Sequence, residues 1–186
     1  MAHVAPEDLQ AGLDHVRAAP ANGGTLELIA CRPAEEERQL IESGRLDVEG
    51  GLIGDMWATR PTSSTADGAP NPDAQVTVMN ARAAALVAGT NKHRQWAEAG
   101  DQLYVDLDLS PENLPPGTQL EIGEAVLEVT AEPHLGCGKF ARRFGVDALK
   151  VVNSAEGRTL RMRGMNTRVV RAGAIERGDE VRKVAG

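Results

Sequence analysis

A β-hairpin between residues 119 and 130 is the feature of the sequence that constrains the fold most strongly. Its first half alternates apolar and polar side chains, and Gly123-Glu124 then marks a tight turn. Its second half runs back through residues 125–130, which are rich in valine and leucine. Two such segments joined by a two-residue turn predict paired antiparallel strands. The chain must therefore contain a sheet, and the remaining segments decide its size and curvature.

Short segments with strand or helix periodicity surround the hairpin. Further strands are predicted over residues 25–31, 75–79, 102–107, 161–171 and 180–184, and helices over 6–18, 34–46, 80–88, 92–99, 137–144 and 146–152. Alternation places Leu26, Leu28 and Ala30 on one face of the first strand. Asn80 and Asn91 are the expected N-caps of two helices. Many short strands separated by glycine predict a mainly β chain, with a barrel or a strongly curved sheet as its core and a few short peripheral helices.

The length of 186 residues fits one compact domain. We expect residues 1–23 to form a helical appendage and residues 24–186 to form the single domain. A chain of this length buries roughly 70% of its unfolded surface. It therefore needs neither a disulfide nor a metal ion to fold.

Composition excludes several classes of function. The net charge of −7 repels nucleic acid and anionic membranes at long range, and five aromatic residues offer little surface for base stacking. The N-terminus lacks the basic and apolar regions of a signal peptide, and no apolar run is long enough to span a membrane. We expect a cytoplasmic protein with both cysteines reduced. The oligomeric state is left open.

The charge is unevenly distributed along the chain. Residues 1–138 carry 8 basic and 22 acidic side chains, whereas residues 139–186 carry 12 basic and 5 acidic ones. The sign reverses one residue after His134-Leu135-Gly136-Cys137-Gly138. Excess positive charge there favours a thiolate or a small anionic ligand near Cys137.

Cys137 is the strongest candidate for a catalytic or metal-binding residue. Two glycines flank it, and a short predicted helix follows that carries Lys139, Arg142 and Arg143. A helix N-terminus and nearby cations both favour the thiolate, which is the nucleophile and the metal ligand. The alternative is that Cys137 is a small buried apolar residue, the role we assign to Cys31.

His134 stands three residues before Cys137, where it could act as a base that tunes the thiol or as a metal ligand. A zinc site would need two more ligands, and no second cluster of cysteine or histidine supplies them. No nucleotide-binding motif is present either. A thiol-redox function ranks last because neither cysteine has a resolving partner nearby in the sequence.

A long loop over residues 58–74 is the second candidate region, because loops of this length without periodicity are usually functional or disordered. We expect it to border the Cys137 pocket and to bind a small anion through Arg60, with Thr62 or Ser63. An arginine-rich C-terminal segment, with Arg158, Arg161, Arg163 and Arg168, could join them. The alternative is that Arg161 and Arg163, two residues apart, share a solvated strand face.

Several ordered segments resemble the MOSC domain, the module named for the C-terminus of molybdenum-cofactor sulfurases. They are Gly51-Leu52-Ile53-Gly54-Asp55, Asp101-Gln102-Leu103-Tyr104-Val105, Leu114-Pro115-Pro116-Gly117, Leu127-Glu128-Val129-Thr130, Gly136-Cys137-Gly138-Lys139-Phe140 and Gly178-Asp179-Glu180-Val181. The resemblance covers roughly residues 24–184. This chain has Asp101-Gln102 where the family often has Glu-Asn, and Gly136 where it often has proline.

The resemblance implies a barrel-like fold with one functional cysteine in a loop that faces a pocket. Cys137 would carry sulfur as a persulfide or ligate the molybdenum of a pterin cofactor, with His134 beside it. Cofactor-binding residues would then include Arg60, Thr62, Ser63, Lys139, Arg142 and Arg168. Expected partners are a sulfur donor such as a desulfurase, or a redox partner.

The family is also associated with pyridoxal phosphate, but a pyridoxal-phosphate desulfurase domain is not recognised in this chain. The alternative function is a non-catalytic β-barrel that binds an anion or a partner, in which Cys137 is structural.

Overall fold

The computed structural model describes residues 3–60, 65 and 68–184. These residues include eleven strands and seven α-helices. The strands are β1 (Gly24–Cys31), β2 (Gln39–Ile41), β3 (Ser43–Asp47), β4 (Gly51–Leu52), β5 (Val76–Asn80), β6 (Leu103–Asp106), β7 (Gln119–Ile122), β8 (Ala125–Val129), β9 (Met165–Arg171), β10 (Gly173–Glu176) and β11 (Glu180–Lys183). The helices are α1 (Pro6–Ala11), α2 (Leu13–Arg17), α3 (Ala81–Ala88), α4 (His93–Trp96), α5 (Gly138–Phe144), α6 (Val146–Asn153) and α7 (Ala155–Thr159).

Seven of these strands close into a barrel in the order β1-β11-β7-β8-β9-β5-β6, with β6 pairing back onto β1. Every neighbouring pair is antiparallel except β5 with β6. β2 extends the sheet beside β1, and a separate small sheet contains β10, β3 and β4. Closure leaves no exposed edge in the ring. The mainly β, barrel-like fold predicted from the sequence is confirmed, including the β7–β8 hairpin.

Two apolar clusters stabilise the molecule, one inside the barrel and one between the barrel and the helices. The first takes residues from all seven barrel strands, and the second combines strand residues with the apolar faces of the helices. β6 contributes to both, because Leu103 and Val105 lie in the first cluster and Tyr104 in the second. Burying one such side chain contributes about 1.5–3 kcal/mol. The buried Tyr104 hydroxyl donates a hydrogen bond to the Trp96 carbonyl over 2.9 Å.

The expected alternation along β1 is wrong at one point. The register against β6 shifts between Leu26 and Leu28, so Leu26 lies inside the barrel while Leu28 and Ala30 pack against the helices. Such a bulge changes which face the later residues occupy. The sequence pattern of period two carries no sign of it.

The N-terminal residues pack onto the second cluster as two short helices, where one helix was expected. The break falls at Gly12, and Leu9, Leu13 and Val16 are buried as their spacing predicts. A side chain at Gly12 would collide with Leu86 of α3, since an added Cβ would lie 2.3 Å from its Cδ1. Close packing against α3 therefore requires glycine at the junction.

Other local expectations are corrected by pairing between distant segments. Residues 34–46 were expected to be weakly helical, but they contain β2 and the start of β3, which pair with β1 and β10. Such pairing overrides local propensity. Asn80 caps α3 as expected, by accepting a hydrogen bond from the Ala83 amide. The predicted second cap is wrong, because Lys92 precedes α4 and Asn91 does not cap it.

None of the helices in the described ranges is both long and apolar enough to cross a membrane.

Candidate functional site

A cavity of about 380 Å³ lies beside the start of α5, and Cys137 is part of its wall. Its described lining includes five cationic side chains, Arg32, Arg38, Arg60, Lys139 and Arg163. The described acidic lining consists of Glu35, Glu36 and Glu132. Cavities of this size hold small organic ligands. The surplus of cations favours an anionic one.

Cys137 is exposed and occupies the N-cap position of α5. Burial alone would raise the pKa of its thiol, but the backbone N–H groups of Phe140 and Lys139, with the charges of Arg163 and Lys139, lower it below the ordinary value. The first turn of a helix and nearby cations favour a thiolate in this way. Cys137 is therefore both accessible and more acidic than an ordinary thiol.

The backbone just before Cys137 is held against α6. Asn153 donates to the Gly136 carbonyl over 3.1 Å and accepts from the Gly136 amide over 3.0 Å. A Cβ at Gly136 would lie 2.7 Å from Leu149 Cδ1, whereas one at Gly138 would meet no atom within 4 Å. A side chain at Gly136 would force Leu149 and Val152 to shift, whereas the position of Gly138 faces open space.

Behind the cavity, Asp101 joins His134 and Arg163 in a buried network. One carboxylate oxygen lies 2.8 Å from His134 Nε2, and the other accepts from Arg163 Nη1 over 2.6 Å. Arg163 Nη2 donates to the Ala99 carbonyl over 3.0 Å. Burial alone would raise the pKa of the Asp101 carboxyl, but Arg163 and His134 hold it well below its ordinary range. Asp101 is therefore an anion, and a full counter-ion to Arg163.

This network determines the proton position on His134. Burial and the Arg163 charge lower the pKa of His134, and Asp101 opposes them only in part. The imidazole is therefore neutral at pH 7. Because a carboxylate only accepts hydrogen bonds, Nε2 must carry the proton that is donated to Asp101. Nδ1 is then the basic nitrogen, on a side chain that lines the cavity.

Arg32 is a cation of this cavity whose charge is balanced by the turn at residues 51–55. Asp55 accepts from Arg32 Nε and Nη2, each over 2.8 Å, and Arg32 Nη1 donates to the Gly100 carbonyl over 2.8 Å. The same carboxylate accepts from the Trp57 amide and begins a short 3₁₀-helix. The Arg32–Asp55 pair thus connects the end of β1, the turn at residues 51–55 and the backbone at Gly100.

Arg38 and Arg60 differ from Arg32 because no described carboxylate lies within ion-pair distance of either. Arg38 donates to backbone carbonyls of Glu37 and Ala97, over 2.6 and 3.3 Å. Burial, with Arg143 and Arg32 nearby, lowers the pKa of Arg38. Unbalanced guanidinium groups at a cavity wall are suited to binding a phosphate or carboxylate.

Lys139 and Arg143 connect α5 to the loop that follows β1. Lys139 Nζ lies 2.9 Å from Glu35 Oε1 and 3.5 Å from Glu36 Oε1, and Arg143 pairs with Glu36. Hydrogen bonds from these cations lower the pKa of both glutamates. These contacts fix the loop beside Cys137.

The structure brings together some of the site residues predicted from the sequence. Cys137, His134, Arg60 and Lys139 all line the cavity, as do residues 70, 71 and 74 of the loop expected to border it. Thr62 and Ser63 lie outside the described residues.

Two other predicted residues are not among those that line the cavity. Arg142 is exposed on α5. Arg168 is exposed on β9, where it pairs with Asp73 and Glu128. Their charges serve the surface of the described structure rather than this cavity.

Sequence reasoning missed Asp101 as a part of the site, and it named Arg163 only as one of several arginines that could bind an anion. The expectation that Arg161 and Arg163 share a solvated strand face is wrong, because both precede β9 and Arg163 is buried. Asp101 stood out only as a departure from a family motif. No pattern in the sequence links residues 62 positions apart, so their pairing emerges only from the fold.

Comparison with known proteins places the chain in a family. The model of the MOSC domain matches residues 65–182, and the chain therefore belongs to the MOSC domain family. No curated protein sequence matches it significantly.

Solved structures share the fold at low sequence identity. YuaD from Bacillus subtilis has a TM-score of 0.64 at 16% identity, covering 85% of this chain and 93% of YuaD. YiiM from Escherichia coli has a TM-score of 0.56 at 17% identity, covering 87% of this chain and 70% of YiiM. YiiM from Geobacillus stearothermophilus has a TM-score of 0.55 at 14% identity, covering 90% of this chain and 75% of that YiiM.

Proposed function

We propose that Cys137 is the thiolate ligand of a molybdenum-pterin cofactor whose phosphate pairs with Arg38 and Arg60. The observation that carries this proposal is an exposed, acidified thiol at a cavity that also presents the Arg38 and Arg60 guanidinium groups, neither of which has a described carboxylate within ion-pair distance. MOSC domains are associated with the molybdenum cofactor, and this chain belongs to that family.

The donor set suits such a group. Within the described ranges, no three His, Cys, Asp or Glu side chains cluster to hold a metal ion, so a metal at Cys137 would need ligands brought by a cofactor. A deprotonated thiol supplies a strong soft ligand. Arg163 lines the same cavity, and its buried Nε–H group has no acceptor in the described structure. An oxygen atom of a bound anion would satisfy it.

The protein residues then divide the work. Lys139 and the first turn of α5 keep Cys137 ionised. Arg38 and Arg60 hold the anionic end of the ligand, and neutral His134 accepts a proton at Nδ1. When bound, the cofactor would supply a redox-active metal centre.

A second candidate function is sulfur transfer, which the exposure of Cys137 favours. The Cys137 thiolate would attack the outer sulfur of a donor persulfide, R–S–SH. The donor S–S bond breaks, the donor leaves as the thiolate R–S⁻, and Cys137 becomes Cys137–S–SH. No net oxidation occurs, and the proton stays on the transferred sulfur.

Metal analysis of the full chain, purified from a host that makes the cofactor, tests the first proposal. We expect molybdenum and pterin to co-purify with the wild type and with Cys31→Ala, and to be lost in Cys137→Ala with an unchanged melting temperature. Retention of molybdenum in Cys137→Ala would overturn the ligand role, and so would its absence from the wild type.

Mass spectrometry after exposure to a persulfide donor tests the second candidate. Sulfur transfer predicts a mass increase of one sulfur atom on the Cys137 peptide. If Cys137 neither binds molybdenum nor gains sulfur, the barrel is a non-catalytic binding module.

A further inference from the structure

A second cavity, of about 320 Å³, lies on the other side of the segment that leads to Cys137. Residues 132–134 of that segment, together with Arg163, line both cavities. Among its other lining residues are six that present mainly apolar surface, Pro111, Pro116, Leu135, Val152, Gly157 and Met165. The second cavity is therefore a neighbour of the Cys137 site with a different chemical character.

Two arginines in this cavity have no carboxylate partner in the described structure, Arg158 and Arg161. Arg158 is exposed at the end of α7. Among the described residues, the guanidinium of Arg161 donates to neutral groups, the Leu114 carbonyl over 2.7 Å, the Leu109 carbonyl over 3.3 Å and Met165 Sδ over 3.9 Å. Burial lowers the pKa of Arg161, with no charged neighbour contributing. A partly buried cation without a counter-ion is costly unless an anion joins it.

The backbone at Arg161 is also unusual. Its φ is +45°, in the left-handed region that side chains other than Gly, Asn and Asp rarely adopt. Hydrogen bonds from the Met162 and Gly164 amides to the Gly157 and Arg161 carbonyls hold this turn closed. Holding Arg161 in this conformation therefore costs conformational free energy that an ordinary surface position would not require.

We propose that the second cavity binds a small organic carboxylate whose apolar body packs on the exposed side chains of Pro111, Pro116 and Leu135. Arg158 and Arg161 take the carboxylate, and Leu135, which is half exposed, covers the mouth. Apolar walls with a few convergent charged groups are typical of small-molecule sites. This site does not require Cys137, and so it goes beyond the function proposed above.

The wall that the two cavities share places the second cavity next to the Cys137 site. A carboxylate bound there lies across residues 132–134 from the cavity that Cys137 lines. Its charge would sit beside Arg163 and His134, both of which line the two cavities. The second cavity is therefore suited to hold a substrate or an effector next to Cys137.

Titration of the full-length protein with hexanoate, followed by calorimetry and by protein NMR, tests the proposal. Hexanol, with the same apolar body and no charge, is the matched probe. We expect hexanoate to bind more tightly than hexanol. We also expect Arg158→Gln to weaken hexanoate binding roughly 10-fold, the effect of losing one charge-assisted hydrogen bond. Arg161→Asn, which tolerates the positive φ, should weaken it similarly.

Arg142→Gln is the control variant, because Arg142 is an exposed arginine outside the described lining of both cavities, and its binding should be unchanged. The proposal would be overturned if hexanoate bound no more tightly than hexanol. It would also be overturned if Arg158→Gln bound hexanoate as tightly as the wild type, because Arg158 is exposed and its substitution should not affect folding. Binding that persists in Cys137→Ala supports a separate site. This experiment can thus fail or succeed independently of the molybdenum measurement.

Discussion

The two cysteines lie in regions of opposite character. Cys31 ends β1 inside the apolar barrel cluster, where burial and the nearby Asp55 raise the pKa of its thiol against the opposing charge of Arg32. Cys137 begins α5 after an irregular segment, where it is exposed and the pKa of its thiol is lowered. The same side chain is thus a buried apolar group in one place and an exposed, more acidic thiol in the other. Environment, rather than residue type, decides which.

The two regions also differ in what holds them. Apolar contacts between paired strands fix Cys31. Around Cys137 the backbone is fixed by polar contacts, from Asn153 to Gly136 and from Asn166 to the Glu132 and Pro133 carbonyls. Hydrogen bonds to polar partners hold a segment without filling the space around it. This allows the thiol to stay accessible in a fixed position.

Among the variants that test the difference between the two cysteine regions, Asp101→Asn is expected to have the largest effect, a loss of stability. The substitution leaves Arg163 buried without a counter-ion and replaces one of the two acceptor oxygens with an NH₂ group, so Arg163 Nη1 and His134 Nε2 no longer each have an acceptor. We expect the free energy of unfolding, measured by urea denaturation, to fall by about 3–5 kcal/mol.

Asp147→Asn provides the control for that variant. Asp147 forms an exposed pair with Lys150 over 3.0 Å, and its loss should cost less than about 1 kcal/mol. If Asp101→Asn were no more destabilising than Asp147→Asn, the buried network would not support the Cys137 region.

The second effect concerns alkylation of the two thiols by iodoacetamide at pH 7, measured in Cys31→Ala and Cys137→Ala. We expect Cys137 to react about 100-fold faster than Cys31 or more, since a buried thiol must first be exposed by local opening. Similar rates would erase the distinction between the two regions.

A pH profile sharpens that result. Lys139 helps to lower the pKa of Cys137, so Lys139→Gln should raise it and slow alkylation about 2–4-fold at pH 7, as expected for a half-exposed charge. Above both pKa values the two rates should converge. Arg142→Gln should leave the profile unchanged, because Arg142 does not line the cavity in the described structure.

The smallest effect separates the two glycines that flank Cys137. Gly136→Ala places a Cβ against Leu149 and Val152, and we expect it to lower the unfolding free energy by about 1–3 kcal/mol. Gly138→Ala meets no neighbour and should change stability by less than about 0.5 kcal/mol. Thermal melts of both variants would measure this, and equal losses would show that the segment is not packed as described.

Much of the barrel followed from local pattern. The β7–β8 hairpin, the alternation in β6 and the helix that begins after Cys137 are all properties of consecutive residues, and periodicity predicts them. The bulge in β1 and the strands within 34–46 were missed, because a partner strand from another part of the chain decides both. The site was predictable where its residues are neighbours, as with His134, Cys137 and Lys139.

Consecutive residues were enough to predict a thiol between two glycines at the start of a helix, in a mainly β chain that resembles the MOSC family. The folded structure selected which charges surround that thiol. It buried Arg163 against Asp101, left Arg38 and Arg60 without described carboxylate partners, and kept Arg142 and Arg168 on the surface. The reason is physical: a side chain's charge acts over a few ångströms of space, and barrel closure rather than sequence distance determines which residues come that close.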